Sequence, residues 1–362
     1  MNSAFPSPIL LLGVGGSGCS IVRKVKRAYG ENIRALAVDT DAYSIDHDEI
    51  PFVLLGGNRL SGRGTGGQPS SARAAFQDNN AILDPYLEGV ATVVVVAGLG
   101  SGTGTGATGE ILKRLHTLGI TTLLFATLPF SFEGDEREQT AKSSCGPLEQ
   151  YADVSVFLPL DSLVGDSEAQ MATLENVLAT AVETMSSGIT LLWNLVEKPG
   201  YINISPEHLR QILVNGGRAR FATARAFGSE RAAEVLKVVS ENSLLKRGNE
   251  SRKIKNILIG ILAGKDLLLS EVGEIASSIS AAFAPEANRF IGTVQDDERF
   301  AGELSIVVML FEEKIMSDAK MSQTSRRAFG NVSRFNDVDK TIWNGENLDQ
   351  PTYLRRQLTL DR

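Results

Sequence analysis

The chain has 362 residues, with 36 Lys and Arg against 43 Asp and Glu, a formal net charge of −7 and 43% apolar residues. That mixture fits a soluble globular protein of two domains or one large one. Its acidic balance argues against a bulk nucleic-acid binder, which carries a basic patch. Two cysteines, Cys19 and Cys145, without metal-type or C-x-x-C spacing, predict a reduced cytoplasmic protein.

The N-terminus has no basic region, and its apolar run at 9–12 has the length of a strand. Neither a signal peptide nor a direct membrane span is expected, so membrane association has to go through a partner or a tail. A glycine-rich stretch follows that first strand, and then a helix at 20–29. Strands are predicted at 35–38, 51–55, 92–97, 121–128 and 154–158, with helices at 70–79 and from about 107 to 118. The run TVVVVA at 92–97 is β-branched from Thr92 to Val96, as in a strand buried on both faces. Strand–loop–helix alternation of this kind predicts an α/β fold with a parallel sheet covered on both faces. Residues 168–196 read as one long helix, with Met171, Leu174, Val177, Leu178, Ala181, Val182 and Met185 near helical spacing. Two further helical stretches are predicted beyond Leu209. Strands at 256–262, 289–294 and 304–310 and a helix at 270–283 complete a smaller α+β domain. From about 314 the chain turns polar, as a linker does.

Gly13, Gly15, Gly16 and Gly18 follow a strand and open a helix. Glycine admits close backbone approach, and a helix N-terminus presents unpaired N–H groups and a positive dipole end. Alone, this stretch reads either as a phosphate cradle or as a tight strand-to-helix turn. A second run, Gly98, Gly100, Ser101, Gly102, Thr103, Gly104, Thr105 and Gly106, again lies between a buried strand and a helix. Glycines alternating with hydroxyl residues predict an anion cradle. It contains no lysine, so backbone amides, a helix dipole and a metal ion are expected to neutralise the bound charge.

The second run, GLGSGTGTGA, resembles the phosphate-cradling signature of the tubulin/FtsZ superfamily. GVGGSGCS, with Gly15, Gly16, Ser17 and Ser20, resembles that family's first loop. VDTDA, with Asp39 and Thr40, resembles its second loop. GTGGQPSSAR, with Gly66 and Gly67, resembles its γ-phosphate loop. PFSFEGDER resembles PFxFEGxxR, which implies Glu133 on the ribose and Arg137 beside base or sugar. KPGYINIS and the stretch 215–237 resemble later family segments, the latter a glycine-bearing helix region. The resemblance runs from about 9 to 310. It implies a GTP-binding α/β domain at 1–167, a core helix at 168–200 and an α+β domain with a synergy loop at 201–313. A flexible linker at 314–344 and a partner-binding peptide at 345–362 follow. It implies GTP/GDP as ligand, Mg²⁺ accompanying GTP, and head-to-tail self-assembly.

Two departures from the family pattern bear on activity. The synergy loop N-x-D-x-x-D here reads Asn203-Ile-Ser205-Pro-Glu207-His208, so both carboxylates are replaced. Ser205 fits an N-cap before Pro206. His208 is a switchable base, and Glu207 lies one residue from the expected position. Asn203, Glu207 and His208 are the candidate catalytic residues, acting on a neighbouring subunit. The base-reading Asn of the family is Leu160, which leaves Asn176 and Thr180 on the core helix as polar candidates. Asn176 reads equally as a solvated helix residue.

LDQPTYLRRQ near the C-terminus resembles the family's C-terminal peptide. Leu348, Asp349, Pro351, Tyr353, Leu354 and Arg355 imply docking on a membrane-tethering adaptor, which would recruit a cytoplasmic protein to the inner membrane face. The expected function is a GTP-binding cytoskeletal or scaffolding protein with weak or altered hydrolysis. A fully active division GTPase and a non-polymerising nucleotide-binding regulator of membrane remodelling are the alternatives. A dinucleotide-dependent dehydrogenase is set aside because the second glycine run has no role in one.

Overall fold

The computed structural model describes residues 9–29, 33–44, 49–163, 173–198, 200–214, 216–246, 253–313, 342–343 and 346–347. The short apolar runs of the first half form strands buried along their whole length, β1 (Ile9–Val14), β2 (Ala35–Asp39) and β4 (Thr92–Gly98). With β3 (Phe52–Leu54), β5 (Thr121–Leu128) and β6 (Val154–Pro159) they pair in parallel. The intervening helices are α1 (Gly15–Tyr29), α2 (Gly57–Leu60), α3 (Pro69–Gln77), α4 (Gly102–Thr117) and α5 (Asp135–Tyr151). After β6 come α6 (Leu174–Glu197), α7 (Pro206–Leu213), β7 (Gly217–Phe227), α8 (Arg231–Glu241) and α9 (Ser243–Lys246). The chain continues through β8 (Ile254–Ala263), α10 (Leu269–Phe283), β9 (Asn288–Gln295), α11 (Asp297–Phe300) and β10 (Glu303–Glu312).

All ten strands belong to one sheet, ordered β3-β2-β1-β4-β5-β6-β7-β10-β8-β9. Pairing is parallel from β3 to β7, and β10 runs antiparallel to both of its neighbours, β7 and β8. β6 meets β7 over three positions, Val154↔Gly217 to Val156↔Ala219. One face of the parallel half buries Leu10, Leu12, Val93, Val95 and Leu124 under α3, α4 and α5. The other buries Leu11, Val94, Val96 and Phe125 with α1 and with Met185, Ile189, Leu192 and Trp193 of α6. A third core lies between α8, α10 and the distal strands. The residues of 1–315 form one unit. Beyond it, β11 (Ile342–Trp343) pairs antiparallel with β12 (Glu346–Asn347).

Three expectations change. The stretch expected as a helix region at 215–237 is instead β7 followed by α8. Alanine and arginine favour helices, but here they alternate at period two: Ala219 and Phe221 are buried, while Arg218 and Arg220 are only partly so. Ladders to β6 and β10 override local propensity. Helix α5 is an element the sequence analysis does not include; it contains Pro147 and buries Ala141 and Leu148. The long helix begins at Leu174, and the part expected at 168–172 lies outside the described residues. So does the C-terminal peptide from Leu348 onward, and with it the adaptor-docking residues.

One buried ion cluster ties α8 to α10. Arg231, 4% exposed, donates to Glu271 through Nε (2.7 Å) and Nη2 (3.0 Å) and to Asp266 through Nη1 (2.6 Å). Glu271 also accepts the Leu268 amide at 2.8 Å. Removing the cation strands a buried carboxylate, so Arg231→Ala should cost about 3–5 kcal/mol in urea unfolding. Arg231 holds Glu271 below its ordinary value of 4.5. The stabilisation is therefore full above that value and lost as pH falls through the lower folded one. Wild type should lose stability faster than Arg231→Ala on acidification over that window.

Candidate functional site

The order of the sheet reverses between β1 and β4. An α/β sheet opens a crevice at such a point, beyond the carboxyl ends of its strands. Here the crevice receives the N-termini of α1 and α4. Gly15 takes φ +72°, and a Cβ on it would lie 3.0 Å from the Gly104 amide nitrogen. Neither helix has an acidic residue in its first turn, so two positive dipole ends stand side by side without internal compensation.

The second glycine run is mostly helix rather than loop, since α4 starts at Gly102. Its glycines serve packing: a Cβ on Gly104 would overlap the Gly98 carbonyl oxygen, and one on Gly106 would overlap that of Pro69. Its hydroxyls are engaged within the protein. Ser101 caps α4, accepting from the Gly104 amide at 3.2 Å and donating to the Gly98 carbonyl at 2.9 Å. Thr105 accepts the Gly100 amide at 2.9 Å. The Thr103 hydroxyl pairs with that of Thr40 at 2.7 Å, joining α4 to the loop after β2. The first-turn amides of Gly102 and Thr103 have no acceptor four residues back in their own helix and are the donors left for an anion.

A cavity of about 720 Å³ opens at this place. The size suits a small-molecule site, typically roughly 300–1,000 Å³. Gly16 from α1 lines it, with Asp39 at the end of β2 and Thr40 after it, Gly66 and Gly67 before α3, Gly100 to Thr103 at α4, and Arg137 on α5. Gly98, Gly104, Thr105 and Gly106 support that wall from behind. The Ser17 side chain sits against Gly98, and Ser20 donates to the Gly16 carbonyl at 2.9 Å. Asp39 shapes its own loop, accepting the Thr40 amide at 2.7 Å and the Ser44 hydroxyl at 2.7 Å. Beneath the first loop the Cys19 thiol faces the Gly13 and Val38 carbonyls. Burial pushes it up to about 12, which makes it a structural thiol.

Other predicted residues lie apart from this wall. Glu133 does not line the cavity; it accepts the Phe130 amide at 2.9 Å and pairs with Arg137 at 2.6 Å. Asn176 and Thr180 are exposed one turn apart on α6, the Thr180 hydroxyl donating to the Asn176 carbonyl at 2.9 Å. Leu160 is buried against Phe130 and Ala181, as a packing residue. Asn203, Glu207 and His208 are exposed near the far end of α6. That helix is 24 residues long, about 36 Å. Ser205 is the N-cap of α7, accepting the His208 amide at 3.2 Å. Arg210 grips both Glu207 oxygens (2.7 and 2.9 Å) and holds its carboxyl below the usual range. The sequence reading missed Arg63, Glu136 and Thr140, which also line the cavity; Arg63 directly precedes the GTGGQPSSAR stretch and Glu136 falls within PFSFEGDER.

Residues 8–167 match the model described as tubulin/FtsZ family, GTPase domain, and residues 217–312 match the FtsZ family C-terminal domain. The cell division protein FtsZ of Buchnera aphidicola subsp. Baizongia pistaciae is 30% identical over 289 residues, 80% of this chain and 74% of that protein. This chain belongs to the tubulin/FtsZ family. FtsZ of Magnetospirillum gryphiswaldense is 31% identical over 302 residues, 83% of this chain, and the chain matches about half (53%) of that protein's length. In solved structures, the fold is shared with an FtsZ dimer of M. jannaschii (TM-score 0.76, 24% identity, 84% of this chain and 87% of that one). It is also shared with a GTPγS-bound CetZ2 protofilament of Haloferax volcanii (TM-score 0.70, 20% identity, 89% and 97%).

Within this FtsZ-like site, Gly106 is where α4 and the start of α3 touch. Gly106→Ala has to push the Pro69 carbonyl away and open the loop at 64–69. It should destabilise the fold by about 1–3 kcal/mol in thermal or urea unfolding. Gly109→Ala, with only an ordinary contact to Leu148 at 3.7 Å, should not.

Proposed function

We propose that the chain binds GTP and GDP in this cavity, assembles head to tail with copies of itself and hydrolyses GTP slowly. One observation carries the reading: two helix N-termini free of acidic residues converge over the β1/β4 reversal in a chain of the tubulin/FtsZ family. Gly16, Gly100, Ser101, Gly102 and Thr103 hold the inner phosphates through backbone amides, as a helix N-terminus holds anions. Gly66 and Gly67, with left-handed φ of +58° and +83° and open space where a Cβ would stand, present the loop toward the terminal phosphate. Thr40 braces the wall through Thr103. Arg137 reaches the sugar side, with Glu133 orienting it. Asn176 and Thr180 offer the polar edge for the base, since Leu160 gives no hydrogen bond.

Mg²⁺ bound with GTP would neutralise phosphate charge. Among the described residues no three ligating side chains converge, and both Asp39 oxygens are engaged in the loop, so no step is assigned to a protein-held ion. Hydrolysis needs a group that orients water at the terminal phosphate. Asn203, Glu207 and His208 belong to a segment fixed to β9, where Ile202 and Thr293 exchange hydrogen bonds (2.8 and 3.0 Å). Their exposed position near the far end of α6 supports a role on a neighbouring copy and, with it, head-to-tail assembly. Ser205 supplies no base, and Glu207 is held by Arg210, which supports slow turnover. We assign nucleotide binding to 1–167, the joining helix to 168–200, the activating domain to 201–313, and a linker and adaptor-binding peptide to 314–344 and 345–362.

Phosphate release and pelleting with GTP and Mg²⁺ test the reading together. Wild type should pellet and release phosphate slowly. Ser205→Asp with His208→Asp, which keeps an N-cap residue at 205, should raise the rate about 10²-fold. Wild-type turnover already equal to that of FtsZ at matched concentration would refute the slow-turnover reading, and Glu207→Gln would then test the remaining carboxylate.

Deleting residues 348–362 should leave nucleotide binding unchanged and abolish recruitment to membrane-tethered adaptors. Imaging of the truncated protein in cells checks this, and unaltered localisation counts against the peptide's role.

A further inference from the structure

The cavity wall supplies dipoles, but α4 carries no cationic side chain before Lys113. Two guanidinium groups line the cavity. Arg137 is paired with Glu133. Arg63 has no ion pair or side-chain hydrogen bond among the described residues, and its side chain is exposed at the cavity.

Its backbone is firmly held. Gly62 and Gly64, on either side, take left-handed φ of +68° and +73°. The Gly62 carbonyl accepts the Ala42 amide at 3.0 Å, and the Gly64 amide donates to the Thr40 carbonyl at 3.1 Å. Arg63 thus bridges antiparallel to Asp41, on a loop whose Thr40 is bonded to Thr103 in the first turn of α4. The nearby Asp41 carboxylate accepts the Tyr43 amide at 2.9 Å. Two hydrogen-bonded steps therefore fix the position of Arg63 relative to the amides of α4.

The position along the sheet decides what Arg63 meets. The apolar cluster of Phe130, Leu160, Val177 and Ala181 lies beyond β5 and β6. The loop bearing Arg63 lies beyond β2, on the other side of the β1/β4 reversal. A nucleotide laid across the strand ends, with its base toward β6 and its inner phosphates on α4, ends in its terminal phosphate on the β2 side. We propose that Arg63 contacts that terminal phosphate and makes the site discriminate nucleoside triphosphate from diphosphate within a single subunit. This inference rests on the nucleotide reading of the cavity.

Titration calorimetry of the full chain with GDP and with a non-hydrolysable GTP analogue tests it, on wild type, Arg63→Ala and Arg63→Lys. Loss of a charge-assisted contact should weaken the triphosphate analogue about 10- to 100-fold in Arg63→Ala. GDP should weaken less than about 3-fold, and the difference should shrink as salt is raised. Arg63→Lys should recover part of the loss, keeping the charge without the planar fork. Equal weakening of both nucleotides, or an unchanged affinity for the analogue, overturns the assignment. A wild-type chain that binds neither nucleotide overturns the nucleotide reading itself, and this inference with it.

Discussion

Everything at the strand ends depends on how closely the N-termini of α1 and α4 approach each other. Helix ends of like polarity repel, and side chains would separate them further. Gly15 against Gly104, and Gly104 against the Gly98 carbonyl, remove the steric obstacle. The electrostatic cost remains and is offset only when an anion occupies the space between them. Lacking acidic residues in both first turns, the fold leaves that compensation to a ligand. The bond between Thr40 and Thr103 then extends the same arrangement to the loop after β2, and through it to the segment bearing Arg63.

Much of this was legible from residue order. Continuous β-branched and aliphatic runs can be little else than doubly covered strands, so β1, β4 and β5 were read within a residue or two. Glycine runs between such strands and helices pointed to the right end of the sheet. What stayed hidden depended on partners distant in the chain. Alanine and arginine between 217 and 227 carry no intrinsic strand signal, and only ladders to β6 and β10 make them one. The hydroxyls of Ser101, Thr103 and Thr105 looked like ligand donors. Their partners, Gly98, Gly100, Thr40 and the first turn of α4, show that they hold the wall in shape. Arg63 stands one residue outside the stretch that resembles the γ-phosphate loop, and its bridge to Asp41 is what sets it at the cavity. Glu133 and Arg137 are each expected to face a ligand, and the ion pair between them, set by their i,i+4 spacing, is not part of that expectation.

Helix α6 spans the distance between two parts of the molecule. One end of that helix packs near Phe130 and Leu160, and the other leads into Lys198, paired with Asp296, and the segment of Asn203. A rigid rod of about 36 Å cannot bring those ends together. Within one copy, the segment of Asn203 and the end of α6 beside Phe130 and Leu160 therefore stay apart.

The ten-stranded sheet is narrow where its parallel half meets the distal strands. β6 and β7 share three residue pairs, whereas the ladder from β7 to β10 runs from Glu303↔Phe227 to Phe311↔Ala219. The sheet therefore resembles a plank with a sawn notch, braced along one side by α6 packing against both portions. Torque applied across it concentrates at Val154–Val156, and α6 acts as the torsion bar that sets its stiffness. Side chains such as Trp193 and Leu195, wedged between that bar and the strands, fix the angle at which the two portions rest.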